Sequence, residues 1–130
     1  MKIEYVAEGP PEAPLVRIYG DDPASAAYLA EAFDQLAGGA TEMLSVHELP
    51  GFEPVGEVRL LARVGDEDRG LKPSRVPGLF DMMLTASGWD ELAGALDPFC
   101  EPAQGDTRSH WLAESGDVKL VITTSETGEW

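Results

Sequence analysis

The stretch 22-DPASAAYLAEAFDQLAGG-39 decides the fold class, because it carries two helix ends and one continuous apolar face. Asp22 followed by proline is typical of a helix start, and the two terminal glycines are typical of a helix end. Between them, apolar side chains recur every three or four residues, which predicts an amphipathic helix packed on a core. Glu31 and Asp34 fall outside this apolar stripe, so we expect them on the solvent face.

Strand patterns surround this helix. Residues 1–8 alternate between apolar and polar, and residues 15–19 are β-branched and aromatic, so the two segments predict a hairpin. After the helix, residues 43–49 predict a third strand, and the proline and glycine residues of 50–56 predict a loop. Residues 57–64 alternate most clearly and predict a half-buried fourth strand.

The second half of the chain repeats the mixture of strand and helix. Residues 79–85 alternate and predict a fifth strand. Ser87 with Asp90 three residues later resembles a capping box, which predicts a second helix that stops at Pro98. Two further strands, over residues 108–113 and 118–124, are predicted to form a C-terminal hairpin.

The order of these elements predicts an α+β fold with the arrangement ββαββ-βαββ. We expect residues 1–130 to form a single globular domain, since chains of this length usually build one core. In that domain, a mainly antiparallel sheet of six or seven strands has two helices packed on one face. The segment 65–77 is predicted to be a long polar loop, and long ordered loops are often functional.

The charge of the chain constrains its partners more than any motif does. It has 24 Asp and Glu against 9 Lys and Arg, a formal net charge of -15. Such a field repels nucleic acids and anionic lipids and attracts basic proteins. A basic protein partner is therefore predicted, and direct nucleic-acid binding is not. The alternative stays open that the acidity only keeps the protein soluble, or reflects the base composition or salt adaptation of its source.

Over half of the basic residues lie within residues 58–77, and two of them, Arg59 and Arg63, share one face of the fourth predicted strand. This face and the loop 65–77 form the alternative binding site, a cationic pocket for an anionic ligand. The loop also carries three consecutive carboxylates. A calcium loop would need glycine where Leu71 stands, so we expect these side chains to be solvated binding candidates. They are Asp66, Glu67 and Asp68.

Catalytic and metal patterns are weak in this sequence. Cys100 and His110 form a conceivable nucleophile pair, which leaves a cysteine-dependent enzyme as a further alternative. No basic residue lies near Cys100 in sequence to favour the thiolate. The single cysteine and two histidines are widely separated, so neither a metal nor a cofactor is predicted.

Location and assembly are only loosely constrained. The chain has no apolar run of about 20 residues, and its first residues lack the apolar core of a signal peptide, so neither membrane insertion nor export is predicted. We expect a cytoplasmic protein. A homodimer through exposed strand edges is compatible with every function considered. Trp130 is a candidate either for packing on the sheet or for anchoring an interface.

The leading hypothesis from the sequence is a non-enzymatic binding protein whose acidic face engages a basic partner. A small, acidic chain without a catalytic signature is compatible in kind with immunity proteins that neutralise basic bacterial toxins, although no motif identifies such a family. In such a complex carboxylates would steer the encounter, and one or two aromatic side chains would anchor it.

Overall fold

The structure is a computed structural model that describes residues 1–102, 105–114 and 116–127. Within these residues it contains two α-helices, two short 3-10 helices and nine strands. The helices are α1 Pro23–Gly38 and α2 Ala86–Ala95, and the 3-10 helices are Val46–Glu48 and Asp97–Cys100. The strands are β1 Lys2–Val6, β2 Leu15–Tyr19, β3 Met43–Ser45, β4 Glu53–Val55, β5 Arg59–Val64, β6 Gly70–Pro73, β7 Leu79–Leu84, β8 Ser109–Ala113 and β9 Lys119–Thr123.

The strands form two mixed sheets, of order β4-β1-β2-β9-β8 and β3-β5-β7-β6. Both hairpins predicted from the sequence are present, because β1 pairs antiparallel with β2 and β8 with β9. The central pairs β2–β9 and β5–β7 are parallel. The sheets meet where the amide of Val118 donates to the carbonyl of Leu71 at 3.3 Å.

A single α+β domain with two helices is thus confirmed, but two mixed sheets of five and four strands replace the expected antiparallel sheet of six or seven. The difference has two causes. Strand β4 lies in a segment that we interpreted as a loop because of its proline and glycine residues, and β6 lies in one that we interpreted as a loop because it is polar. Both are edge strands, where proline is tolerated. In addition, periodicity identifies strands without identifying their neighbours, so the three parallel pairings, β1–β4, β2–β9 and β5–β7, could not be predicted.

Both sheets and both helices contribute to one hydrophobic core. The rings of Phe33 on α1 and Trp89 on α2 lie 4.8 Å apart between centroids, and this contact joins the two helices. Strand β9 is buried on both faces from Leu120 onward, as is usual for a central parallel strand. Other fully buried members of the core include Ile3, Ile18, Leu29, Leu36, Leu71 and Leu96.

Helix α1 begins and ends as its sequence predicts. The Asp22 side chain accepts hydrogen bonds from the Ser25 amide at 3.1 Å and from the Ser25 hydroxyl at 2.6 Å. Pro23 occupies the first turn, and Gly39 terminates the helix with a φ of 79°. Helix α2 differs from the prediction, because its N-cap is Thr85 rather than Ser87. The Thr85 side chain accepts from the Gly88 amide at 3.1 Å.

The cap of α1 gives a prediction about acid stability. Hydrogen bonds from Ser25 lower the pKa of Asp22 below its ordinary value of 3.8. Because the pKa of Asp22 is lower in the folded than in the unfolded state, the ionised carboxylate stabilises the fold at pH values above the unfolded pKa of about 3.8. This contribution is lost as the pH falls below that value. Asp22→Asn keeps an acceptor but has no charge to lose. We therefore expect it to be less stable at neutral pH by a few tenths to about 1 kcal/mol.

Urea unfolding of the two proteins between neutral and strongly acidic pH measures this contribution. The difference between wild type and Asp22→Asn should shrink as the pH falls through the carboxyl range, because the other acidic residues affect both proteins equally. A difference that stays constant with pH would contradict a role for the Asp22 charge.

Candidate functional site

The cationic face predicted from the sequence exists, but only part of it is available to a ligand. Strand β5 buries Leu60 and Ala62 and turns Arg59 and Arg63 to the opposite face, as the alternation predicts. Arg63 forms an ion pair with Asp81 of β7 at 2.7 Å. Because this carboxylate already compensates the Arg63 charge, Arg59 is the arginine of the pair that remains exposed for other contacts.

The loop predicted over residues 65–77 contains strand β6, and its three carboxylates have different environments. Asp68 accepts hydrogen bonds from the amide and the hydroxyl of Thr85, at 2.8 and 3.0 Å. It therefore supports the N-cap of α2. Glu67 forms an exposed ion pair with Arg69 at 3.3 Å, and Asp66 is exposed. Asp68 is thus held by contacts within the fold, whereas Asp66 and Glu67 lie at the surface.

The role of Asp68 predicts that its removal destabilises the protein. Asp68→Ala should lower the free energy of unfolding by about 1 to 2 kcal/mol, since it leaves the Thr85 amide without its acceptor and weakens a helix cap. Asp66→Ala is the matched control, with an expected change within about 0.5 kcal/mol. Urea unfolding followed by circular dichroism measures both, and equal effects of the two substitutions would contradict this role.

The cysteine and histidine considered as a catalytic pair lie on different elements. Cys100 ends the second 3-10 helix, half-buried, and its Sγ donates to the Leu96 carbonyl at 3.4 Å. Burial, and next the charges of Asp97 and Glu101, raise the pKa of the Cys100 thiol. His110 is exposed on edge strand β8. A raised thiol pKa disfavours the thiolate that such an enzyme would need.

No cluster of His, Cys, Asp or Glu with a geometry suited to a metal ion occurs among residues 1–102, 105–114 and 116–127. In the same part of the chain, none of the helices has the length and apolar character needed to cross a membrane. Trp130, which was a candidate either for packing on the sheet or for anchoring an interface, lies outside the described residues.

Two adjoining acidic clefts lie beside the N-terminal end of α1. The first, of about 290 Å³, is lined in part by Asp21, Asp22, Glu53 and Glu126. The second, of about 240 Å³, shares Asp21 and Glu126 with the first and adds Asp106. The Asp21 amide donates to Glu126 Oε1 at 3.1 Å. This hydrogen bond joins the segment after β2 to the segment after β9 in the wall that the two clefts share. The first cleft also includes Lys2 and the Met1 ammonium group, which forms an ion pair with Asp22 at 3.2 Å. Together the clefts make a continuous surface on which carboxylates outnumber cations.

Sequence reasoning missed this surface because its residues come from four separate segments of the chain. Asp21 and Asp22 follow β2, and Glu53 is the first residue of β4. Asp106 precedes β8, and Glu126 follows β9. The parallel pairing of β2 with β9 brings the ends of those two strands together, and the Gly20 amide donates to the Thr123 carbonyl there at 3.1 Å. The sequence signal was limited to the excess of acidic residues, which gives no location.

The acidic residues predicted on α1 are exposed as expected. Glu31 and Asp34 face solvent, and Tyr28, one turn earlier, is 47% exposed. Tyr28 was not singled out from the sequence, although its position outside the apolar stripe was the available signal. Asp22 is the N-cap of this helix and lines the first cleft, whereas Glu31 lies about two and a half turns later, on the opposite side of the helix.

Compared with protein-family models, curated proteins and solved structures, the chain gives no significant match.

Proposed function

We propose that this protein is a non-enzymatic binding protein that engages a basic protein through the acidic clefts and the exposed face of α1. The observation that carries this proposal is the pair of adjoining clefts with Asp21 and Glu126 as their shared wall. A lysine or arginine side chain of a partner is long enough to place its charge in such a cleft, where carboxylates accept its hydrogen bonds. Partial desolvation makes these contacts stronger than exposed ion pairs.

The rest of the helix face extends the contact. Glu31 lies nine residues after Asp22, about 14 Å along the axis at about 1.5 Å per residue and about two and a half turns around it, so a partner must reach around the helix to contact both. A surface of that length suits a protein partner better than a small cation, because ordinary protein interfaces bury about 800 Å² on each side. Tyr28 supplies an exposed aromatic ring within the acidic face, and tyrosine is enriched among residues that dominate binding energy.

Several of the basic side chains already form contacts within the fold, so they do not neutralise the carboxylates of the clefts. Arg17 forms an ion pair with Glu4, and Arg63 pairs with Asp81. The Nζ atom of Lys119 lies 5.8 Å from the centroid of the Trp111 ring. With a formal net charge of -15, the surface attracts a basic partner at long range and repels nucleic acid and anionic membranes. An immunity role, in which the basic partner is a toxin, fits the same chemistry.

Affinity capture from a lysate of the source cells tests the proposal, with the bound protein identified by mass spectrometry at low and high salt. The test variant carries Asp21→Asn, Asp106→Asn and Glu126→Gln. The control carries Glu8→Gln, Glu12→Gln and Glu42→Gln, exposed or half-buried carboxylates that line neither cleft. Both variants lose the same charge, so only the location of the change differs.

We expect wild type and control to retain one basic protein, and the cleft variant to bind it at least about tenfold more weakly, about 1.4 kcal/mol. High salt should weaken binding in each case. Equal losses in the two variants would show that net charge alone attracts the partner. If wild type retains no basic protein at either salt concentration, the proposal is wrong.

A further inference from the structure

A third cleft lies next to the first 3-10 helix and the turn between β4 and β5, and its residue Pro54 follows Glu53 of the acidic surface in β4. It has a volume of about 460 Å³, within the size range of small-molecule sites. The residues that line it are His47, Pro54, Gly56, Glu57, Val58 and Arg59. They combine a hydrogen-bonding ring, both signs of charge and an apolar wall.

His47 has a defined protonation pattern in this cleft. Its Nδ1 accepts a hydrogen bond from the Leu60 amide at 3.0 Å. An acceptor nitrogen carries no proton, so the neutral ring holds its proton on Nε2. The imidazole therefore offers one N–H donor to a ligand, while the Leu60 contact fixes the ring against β5.

Glu57 and Arg59 place opposite charges at the same cleft. Glu57 lies in the turn that precedes β5, and Arg59 is the first residue of that strand. Both side chains are exposed, and among the described residues neither forms an ion pair with the other. Arg63, farther along the strand, differs because Asp81 compensates it.

The backbone that carries these charges is held in place. The Arg59 amide donates to the Gly78 carbonyl at 2.7 Å. Gly78 packs so closely on the same segment that a Cβ atom there would lie 2.8 Å from the Glu57 carbonyl oxygen. Arg59 thus starts from a fixed strand, and the backbone of Glu57 packs on Gly78, which reduces the ordering that ligand binding requires.

We propose that this cleft binds a free α-amino acid. The ligand carboxylate accepts hydrogen bonds from the Arg59 guanidinium and from His47 Nε2–H, and its ammonium group binds Glu57. Pro54 provides the apolar wall for its side chain. A simple anion would be repelled by Glu57 and a simple cation by Arg59, whereas a zwitterion satisfies both charges. The site shares no lining residue with the acidic clefts, so it is independent of the basic partner.

Titration of the ¹⁵N-labelled protein with each common free L-amino acid, to about 10 mM, tests this assignment by amide chemical shifts. At least one should give saturable shifts at residues 56–60 and at His47. Its N-acetyl and carboxamide derivatives, which each lack one charge, should bind at least about tenfold more weakly. The variants Arg59→Gln and Glu57→Gln should lose affinity to the same extent.

Lys72→Gln is the matched control, since Lys72 is an exposed cation of the same sheet that does not line the cleft. It should bind as wild type does, and the spectrum of each variant reports whether it is folded. The proposal is overturned if no free amino acid shifts these amides in a saturable way. It is equally overturned if the singly charged derivatives bind as well as the parent, or if Arg59→Gln and Glu57→Gln leave the affinity unchanged.

Discussion

Replacing Trp89 with alanine is expected to lower the free energy of unfolding by about 3 to 5 kcal/mol, the range for large aromatic residues in a core. The Trp89 side chain is fully buried in the core. Its ring lies 4.8 Å from that of Phe33, and its Nε1 donates to the Arg63 carbonyl at 3.0 Å. One side chain therefore joins α2 to α1 and to β5. Its loss leaves a cavity at the contact of three elements and removes a buried hydrogen bond.

Trp89→Phe separates these two effects. Phenylalanine keeps an aromatic ring against Phe33 but cannot donate to Arg63, so we expect a smaller loss of about 1 to 3 kcal/mol. Trp111→Phe is the control, since Trp111 is half-buried on an edge strand, and its expected cost is below about 1 kcal/mol. Urea unfolding by circular dichroism avoids dependence on tryptophan fluorescence. A cost for Trp89→Ala within about 1 kcal/mol of zero would contradict this role.

Trp89 also shows how far the sequence leads. The capping pattern at Ser87 and Pro98 predicted the helix that carries it, and the caps of α1 predicted both ends of that first helix. The donor-acceptor pair with Arg63 could not be predicted, because the two residues are 26 positions apart and no local pattern relates them. Local signals define elements, whereas pairings between distant elements depend on tertiary packing.

The same limit applies to the candidate sites. The alternation of residues 57–64 predicted the shared face of Arg59 and Arg63, but not the ion pair that occupies Arg63. Asp68 is exposed, as the sequence predicted, but its hydrogen bonds to Thr85 could not be predicted because Thr85 lies 17 positions away. The excess of acidic residues predicted a basic partner without a location. The acidic clefts form only when the pairing of β2 with β9 brings Asp21 beside Glu126.

Gly51→Ala is expected to destabilise the protein by about 2 to 4 kcal/mol, from two separate causes. Gly51 has a φ of 82°, a conformation that costs other residues about 1 to 2 kcal/mol. A Cβ atom at this position would also overlap the Ser25 hydroxyl. Ser25 is only 3% exposed and donates from that hydroxyl to Asp22 at 2.6 Å, so it has little room to move away. Losing this hydrogen bond adds about 1 to 2 kcal/mol.

Gly56→Ala is the matched control, because Gly56 has a φ of 76° but no atom within 4 Å of the added Cβ. It should show the backbone cost alone. The difference between the two substitutions then measures the contact with Ser25, which joins the start of α1 to the segment before β4 and so holds two walls of the acidic surface together. In a Ser25→Ala background, where the hydroxyl is absent, the cost of Gly51→Ala should fall towards that of Gly56→Ala, with a remainder from the Cβ of residue 25, which lies 3.1 Å from the added Cβ. A cost that is the same in both backgrounds, or equal for the two glycines in the wild-type background, would show that overlap with the Ser25 hydroxyl does not cause the loss of stability in Gly51→Ala.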